Sequence, residues 1–126
     1  MTPAIALTIG GSDSGGGAGI QADLKTFMAL RVHGCSAITC ITAQNTTGVS
    51  RVDALEPAAL TAQIAAVTSD LKVAALKTGM LLNRGLIEAA AEALAPLALP
   101  RLIDPVMVSR AGAVLLEREA IDAYRL

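Results

Sequence analysis

A parallel β-sheet with α-helices packed on both of its faces is the fold class this sequence predicts, and three observations carry the prediction. Short apolar, β-branched runs alternate with segments of helical periodicity, and strands joined through helices of roughly ten or more residues pair in parallel by crossover. Hydrophobic residues make up 53% of the 126-residue chain and charged residues 17%, which is enough apolar surface to offset chain entropy in one core of ordinary domain size. A glycine-rich stretch follows the first apolar run, where such folds pass from strand to helix.

Ala4 to Ile9 is the first strand-like run, and it stops at Gly10-Gly11. Up to about Arg31, Ile20, Leu24, Phe27 and Met28 recur at the i, i+4, i+7, i+8 spacing of one helix face. Cys35 to Thr42 is a second strand, followed by a polar stretch from Ala43 to Gly48 and a short extra strand over Arg51 to Leu55. Pro57 stands at a helix start ahead of the stripe Leu60, Ile64, Val67 and Leu71. Val73 to Lys77 is the third core strand. Leu86, Ile87, Ala90, Ala91 and Leu94 mark the next helix, which Pro96 and Pro100 close. Arg101 to Ile103 begins a fourth strand, cut short by Asp104-Pro105, and Glu117 onward reads as helix again. That pattern runs to Leu126 without a terminating Gly, Asn or Pro, so the expectation is an incomplete sheet whose C-terminal part is missing.

Charge excludes several classes of function. Ten Lys and Arg against eleven Asp and Glu give a net charge of -1, without the basic excess that a nucleic-acid binder needs. No apolar run approaches the roughly 18 residues of a membrane span, and no cation precedes the first one as in a secretory leader. A cytoplasmic protein without membrane or nucleic-acid partners is expected. Cys35 and Cys40 match neither a redox pair nor zinc-ligand spacing; five apart on one strand, they point to opposite faces and are read as small buried hydrophobes. The lone His33, at a helix exit beside Gly34, is read as structural.

In open parallel sheets, ligands bind beyond the carboxyl ends of the strands. The unusual residues fall there: Gly10 to Gly19 after strand one, Gln44 and Asn45 after strand two, Gly79 and Met80 after strand three, and Asp104 to Met107 at the fourth. The glycine stretch lacks the Gly-Lys of a Walker loop, and strand two lacks the terminal acid of a dinucleotide fingerprint. It is left as a backbone that lets a small ligand come close, with Asp13 in the loop and Asp23 about one turn into the helix. Gln44 offers the acceptor and donor that an aminopyrimidine edge requires. Lys77 ends an apolar strand, where a cation needs a partner acid or the sheet rim. Met80 and Val106 supply apolar walls.

The stretches ALTIGGSDSGGGAGIQADLKTF, AQNTTGV, LKTGML and DPVMVSRAG, in this order and spacing, resemble the hydroxymethylpyrimidine and phosphomethylpyrimidine kinases of thiamine biosynthesis. The resemblance runs over essentially the whole chain. It implies a ribokinase-like fold and phosphorylation of 4-amino-5-hydroxymethyl-2-methylpyrimidine, then of its monophosphate, with ATP and Mg2+. By position, Gln44 matches the pyrimidine-recognising residue; Gly11, Asp23, Met80 and Val106 match pocket-lining positions; Asp104 matches the acid near magnesium and phosphates. The family's Asn-x-x-Glu magnesium motif and its Gly-Thr-Gly anion hole, with the catalytic Cys or Asp, have no counterpart in this chain. Residues 1–126 are therefore expected to be the N-terminal part of a single kinase domain, inactive alone. Related enzymes accept pyridoxal, so a pyridoxal kinase is the alternative within the class and a non-catalytic pyrimidine-binding module the alternative outside it. A homo-oligomer is compatible with either.

Overall fold

The computed structural model describes residues 2–110 and 112–125. Its elements are β1 (Ile5–Asp13), α1 (Gly19–Ala29), β2 (His33–Asn45), β3 (Gly48–Ala54), α2 (Pro57–Asp70), β4 (Ala75–Thr78), α3 (Arg84–Leu94), β5 (Arg101–Ile103) and a 3-10 helix (Arg118–Arg125). The sheet runs in the order β3-β2-β1-β4-β5. β2, β1, β4 and β5 are parallel, and β3 is an antiparallel edge.

Alternation along the strands assigns the two faces. Leu7 and Ile9 on β1, Ala37 on β2 and Leu76 on β4 join Leu60 and Ile64 of α2 and Leu86, Ile87 and Ala90 of α3 in one buried cluster, which Ala120 and Ala123 of the 3-10 helix close. Thr8 and Lys77, out of phase with these, reach Asp23 of α1 on the other face. Helices thus cover both faces, with α1 the helix on one of them among the described residues. It sits close because Gly34 has no side chain: a Cβ there would come within 2.7 Å of Leu24 Cδ2 and 2.9 Å of Phe27 Cδ2.

Several boundaries differ from the sequence reading. β1 continues through Gly10–Asp13, pairing Ser12 with Ile41 and Asp13 with Thr42, so the glycine stretch divides into a strand end and a tight turn over residues 14–18. β2 begins at His33, whose N–H donates to Ala4 O at 2.8 Å, and reaches Asn45; His33 opens a strand instead of ending a helix. Gln44 and Asn45 are strand residues, not loop residues, because they pair with Val49 and Gly48 across a hairpin. Asn45 Oδ1 accepts from Thr47 N at 2.9 Å and closes that turn. Between Gly10 and Ser12 the β2 register slips by one residue, and this bulge buries both Thr39 and Cys40. Gln63 of α2 covers the adjoining backbone, with Ile38 N donating to its Oε1 at 2.9 Å and its Nε2 donating to Ile38 O at 3.0 Å.

Met28, expected on the buried stripe, is 75% exposed. It lies about 80° around the helix from Ile20 at 100° per residue, beyond the strip that meets the sheet. Ala91 is exposed for the same geometric reason, while Leu86, Ile87, Ala90 and Leu94 are buried. β4 starts two residues later than expected, at Ala75, and the helix expected from Glu117 is a 3-10 helix. The two cysteines are free, Cys40 buried as expected and Cys35 only partly buried, and they belong to separate apolar clusters, Cys35 packed beside the main core and Cys40 with Met80 and Leu115. Among the described residues no helix is long and apolar enough to cross a membrane.

Candidate functional site

The chain leaves β1 for β2 on one side and later returns to place β4 on the other, so the carboxyl end of β1 is the point where the connections diverge. Ligands bind at such a point in open α/β sheets. A cavity of about 300 Å3 opens there, and Gly11, Asp23, Gln44, Met80, Asp104 and Val106 all line it, together with Lys77, Arg110 and Leu115. The six positions singled out from the sequence therefore converge on one space. A neighbouring hollow of about 310 Å3 shares Asp13, Ala18, Gln44, Ser109 and Arg110 with it. A wider, shallower depression of about 410 Å3 along the β2–β3 hairpin meets the site only through Gln44.

Two glycines make the floor. A Cβ on Gly11 would stand 2.9 Å from Cys40 Sγ and 3.4 Å from Met80 Sδ. With no side chains at Gly10 and Gly11, Thr39 of β2 reaches past β1 and donates its hydroxyl proton to Met80 O at 2.7 Å. Gly19 opens α1 at φ +59, and a Cβ there would collide with Gly11 O, so helix and strand meet backbone to backbone.

Asp13 is structural. It is 5% exposed, and its carboxylate accepts from Gly15 N at 2.8 Å, Gly17 N at 2.9 Å and Ala18 N at 2.8 Å. It thereby caps α1, whose own N-cap residue, Ala18, supplies no side-chain bond. Gln21 ties the helix back to the strand, accepting from Asp13 N and donating to Ser12 Oγ, both at 2.8 Å. Ser14 joins the turn to β2: its hydroxyl donates to Gln44 O at 2.6 Å and accepts from Gln44 N at 2.8 Å. The Gln44 backbone is fixed in this way, and its side-chain Oε1 lies 3.2 Å from Thr42 Oγ1.

Asp23 is the acid that Lys77 requires. Lys77 Nζ lies 2.8 Å from Asp23 Oδ2 and 3.1 Å from Oδ1, and Thr8 Oγ1 donates to Oδ2 at 2.6 Å. Both side chains keep about a fifth of their surface accessible, 22% and 21%, on the cavity side. Asp104 stands at the end of β5, with its backbone N donating to Thr78 O at 3.2 Å. Its carboxylate helps push the Tyr124 phenol up to about 12, although burial of the ring is the larger cause. Burial also raises the Cys40 thiol, against a smaller lowering by the Thr39 hydroxyl, so Cys40 is no nucleophile at neutral pH.

The roles of Ser14, Thr39 and Gln63 were not legible in the sequence, because each acts on a backbone group 25 or more residues away, and that of Gln21 was not, because it depends on how α1 lies against the end of β1. Val108, Ser109, Arg110 and Leu115, with Val108 bridged to Val114, also wall the cavity beyond the expected Val106. Only the apolar character of Val108 and Leu115 hinted at it.

A family profile described as phosphomethylpyrimidine kinase matches residues 13–126. A hydroxymethylpyrimidine/phosphomethylpyrimidine kinase of Synechococcus elongatus is 64% identical over 125 residues, 99% of this chain and 48% of its own length. The crystal structure of phosphomethylpyrimidine kinase from Clostridium difficile superposes with a TM-score of 0.87 at 47% identity, over 95% of this chain and 52% of that one. Bacillus subtilis pyridoxal kinase, solved as an ADP complex, gives 0.83 at 40% identity, over 98% of this chain and 46% of that one. This chain thus spans about half the length of the curated relatives it matches, and its fold is ribokinase-like like theirs. With the profile covering all but its first twelve residues, the chain belongs to the phosphomethylpyrimidine kinase family.

Proposed function

We propose that residues 1–126 form the substrate-holding N-terminal part of a single kinase domain. Its complete form transfers phosphate from ATP to 4-amino-5-hydroxymethyl-2-methylpyrimidine and then to the monophosphate. The observation that carries this reading is the convergence of Gln44, Gly11, Asp23, Met80, Val106 and Asp104 on one cavity of about 300 Å3. In this reading Gln44 grips the aminopyrimidine edge through its amide. Gly11 leaves room for the ring, Met80 and Val106 pack against its faces, and Asp23 is held ready by Lys77 and Thr8.

The sheet order supports a direction for the ligand in this reading. Gln44 is the penultimate residue of β2 and Asp104 directly follows β5, three strand spacings away, or about 14 Å at ~4.8 Å each. A ring held at the Gln44 end has room to extend its hydroxymethyl group toward Asp104. Mg2+ keeps several waters and is commonly held by one or two carboxylates together with substrate phosphates. Asp104, solvent-accessible at a strand end, fits such a single-carboxylate role. Among the described residues no group of three His, Cys, Asp or Glu forms a self-sufficient metal cage. The metal would supply charge neutralisation on the phosphates; the remaining ATP contacts are assigned to the part of the relatives' length that this chain does not span. A cytoplasmic location, where both thiols stay reduced, belongs to the same reading.

Likeness to solved pyridoxal kinases at 34–40% identity favours pyridoxal as the second candidate ring. Calorimetry of the complete gene product with hydroxymethylpyrimidine and with pyridoxal, beside ATP-dependent phosphorylation of each, tests both. The expected outcome is binding and turnover of the pyrimidine in preference to pyridoxal. The reverse preference overturns the pyrimidine assignment, and binding without phosphorylation of either overturns the kinase assignment in favour of a binding module.

A further inference from the structure

The Lys77–Asp23 pair lies in the cavity floor, and its hydrogen bonding is unfinished. An ammonium carries three donors. Two of those on Lys77 go to the two oxygens of Asp23, at 3.1 and 2.8 Å, and Thr8 gives its proton to the same carboxylate. The third Lys77 N–H has no protein acceptor among the described residues, and the side chain retains 22% of its surface on the cavity. What opens that path is Gly79, just beyond the end of β4: a Cβ there would sit 3.2 Å from Lys77 Nζ. β4 also lies between β1 and β5, which places the ammonium about two strand spacings, roughly 10 Å, from the Gln44 end and on the way to Asp104.

We propose that Lys77 determines specificity by donating its third N–H to the exocyclic oxygen of the bound ring, whether an alcohol or a phosphate ester oxygen, with Asp23 fixing the ammonium for that contact. The proposal rests on the pyrimidine reading above. A site built to bond an oxygen rejects the analogue that lacks it, because the buried donor is then left unpaired.

The test measures Kd by calorimetry on the complete gene product for two probes, 4-amino-5-hydroxymethyl-2-methylpyrimidine and 4-amino-2,5-dimethylpyrimidine, which lacks only the oxygen. The wild type should prefer the alcohol by about tenfold or more, ~1.4 kcal/mol. In Lys77→Met the preference should fall below about threefold while the dimethyl compound still binds. Gly79→Ala provides the second variant: its φ lies outside the left-handed region, the flexible Lys77 tip can yield a few tenths of an ångström, and both side chains of the ion pair are retained. The added methyl shields the ammonium, so the same loss of preference is expected even if Lys77→Met fails to fold. Lys77→Arg, which keeps a donor, should retain part of the preference. An undiminished preference in folded Lys77→Met or in Gly79→Ala overturns the Lys77 contact and leaves the pyrimidine reading standing, as does a wild type that binds both probes equally. A wild type that binds neither probe overturns the pyrimidine reading itself, and the contact with it.

Discussion

Removing the Asp13 carboxylate should loosen the turn on which the whole site is mounted. Three N–H groups converge on it at 2.8–2.9 Å, and a hydrogen bond to a charged group contributes about 1.5–3 kcal/mol. Simple addition overshoots, because Gly15, Gly17 and Ala18 are exposed and their amides can rebond to water once freed. At about 1 kcal/mol per bond after rehydration, Asp13→Ala should cost roughly 3 kcal/mol of stability. Asp13→Asn should cost about half as much, since its carbonyl keeps one side of the cluster while its NH2 opposes the amides on the other. Urea unfolding of the complete gene product measures both. The damage should extend to the ligand, because Ser14 transmits the turn's position to the Gln44 backbone, and affinity for hydroxymethylpyrimidine should fall with stability. Asp13→Ala within about 0.5 kcal/mol of wild type would refute the view that this carboxylate organises the turn.

Gln44→Ala should weaken pyrimidine binding by about 1–3 kcal/mol, tenfold or more, and an unchanged calorimetric affinity would remove Gln44 from ring recognition. Asp104→Asn should lower turnover more than pyrimidine affinity, since phosphoryl transfer depends on electrostatic positioning of metal and phosphates; equal losses would move Asp104 into the ring pocket. Tyr124 is the only tyrosine in a chain without tryptophan, so ultraviolet titration of phenolate in the isolated 126-residue chain reads it directly. Its folded value of about 12 exceeds the ordinary 10.0; stability from this group is therefore full below pH 10 and declines as pH rises from 10 toward 12. Asp104→Asn should shift that midpoint downward, and a wild-type midpoint near 10 would place Tyr124 in water.

Much of the layer was legible because its physics is periodic. The stripe Leu60, Ile64 and the stripe Leu86, Ile87, Ala90, Leu94 follow the 3.6-residue repeat, and both lie in the core. The errors fall where periodicity stops governing. Gly10–Asp13 has no strand propensity, yet it is strand, because its backbone groups pair with β2. Gln44 and Asn45 look like loop residues, but an antiparallel partner makes them strand. That the six candidate positions share one cavity was legible from their places at or just beyond the carboxyl ends of the strands and in the helix that follows β1, which sheet topology converts into proximity. The partnership of Lys77 and Asp23, 54 residues apart, was not: a local pattern reveals that a buried cation needs an acid, and only the crossover of β4 to the far side of β1 determines which.

Residues 1–126 expressed alone should phosphorylate nothing at a useful rate. In the proposed reading the cavity would hold a ring and offer one carboxylate at its far end, whereas transfer needs the attacking hydroxyl, a base, the metal and stabilised phosphate oxygens held together. Groups that act as a unit lose most of their effect when one is absent. The surface around β5 adds a physical reason. β5 pairs with β4 on one side only among the described residues, and its own Leu102 and Ile103 are 64% and 50% exposed, with Met107, Val108 and Val114 also exposed in the residues that follow. An open edge flanked by apolar side chains is a template for self-association. Size-exclusion chromatography of the 126-residue chain should therefore show concentration-dependent assembly, and phosphorylation assays beside the complete gene product should separate the two by orders of magnitude. Turnover by the short chain comparable to that of the complete product would mean that a base and an anion-binding site lie within these residues, and that the catalytic groups are not confined to the length this chain does not span.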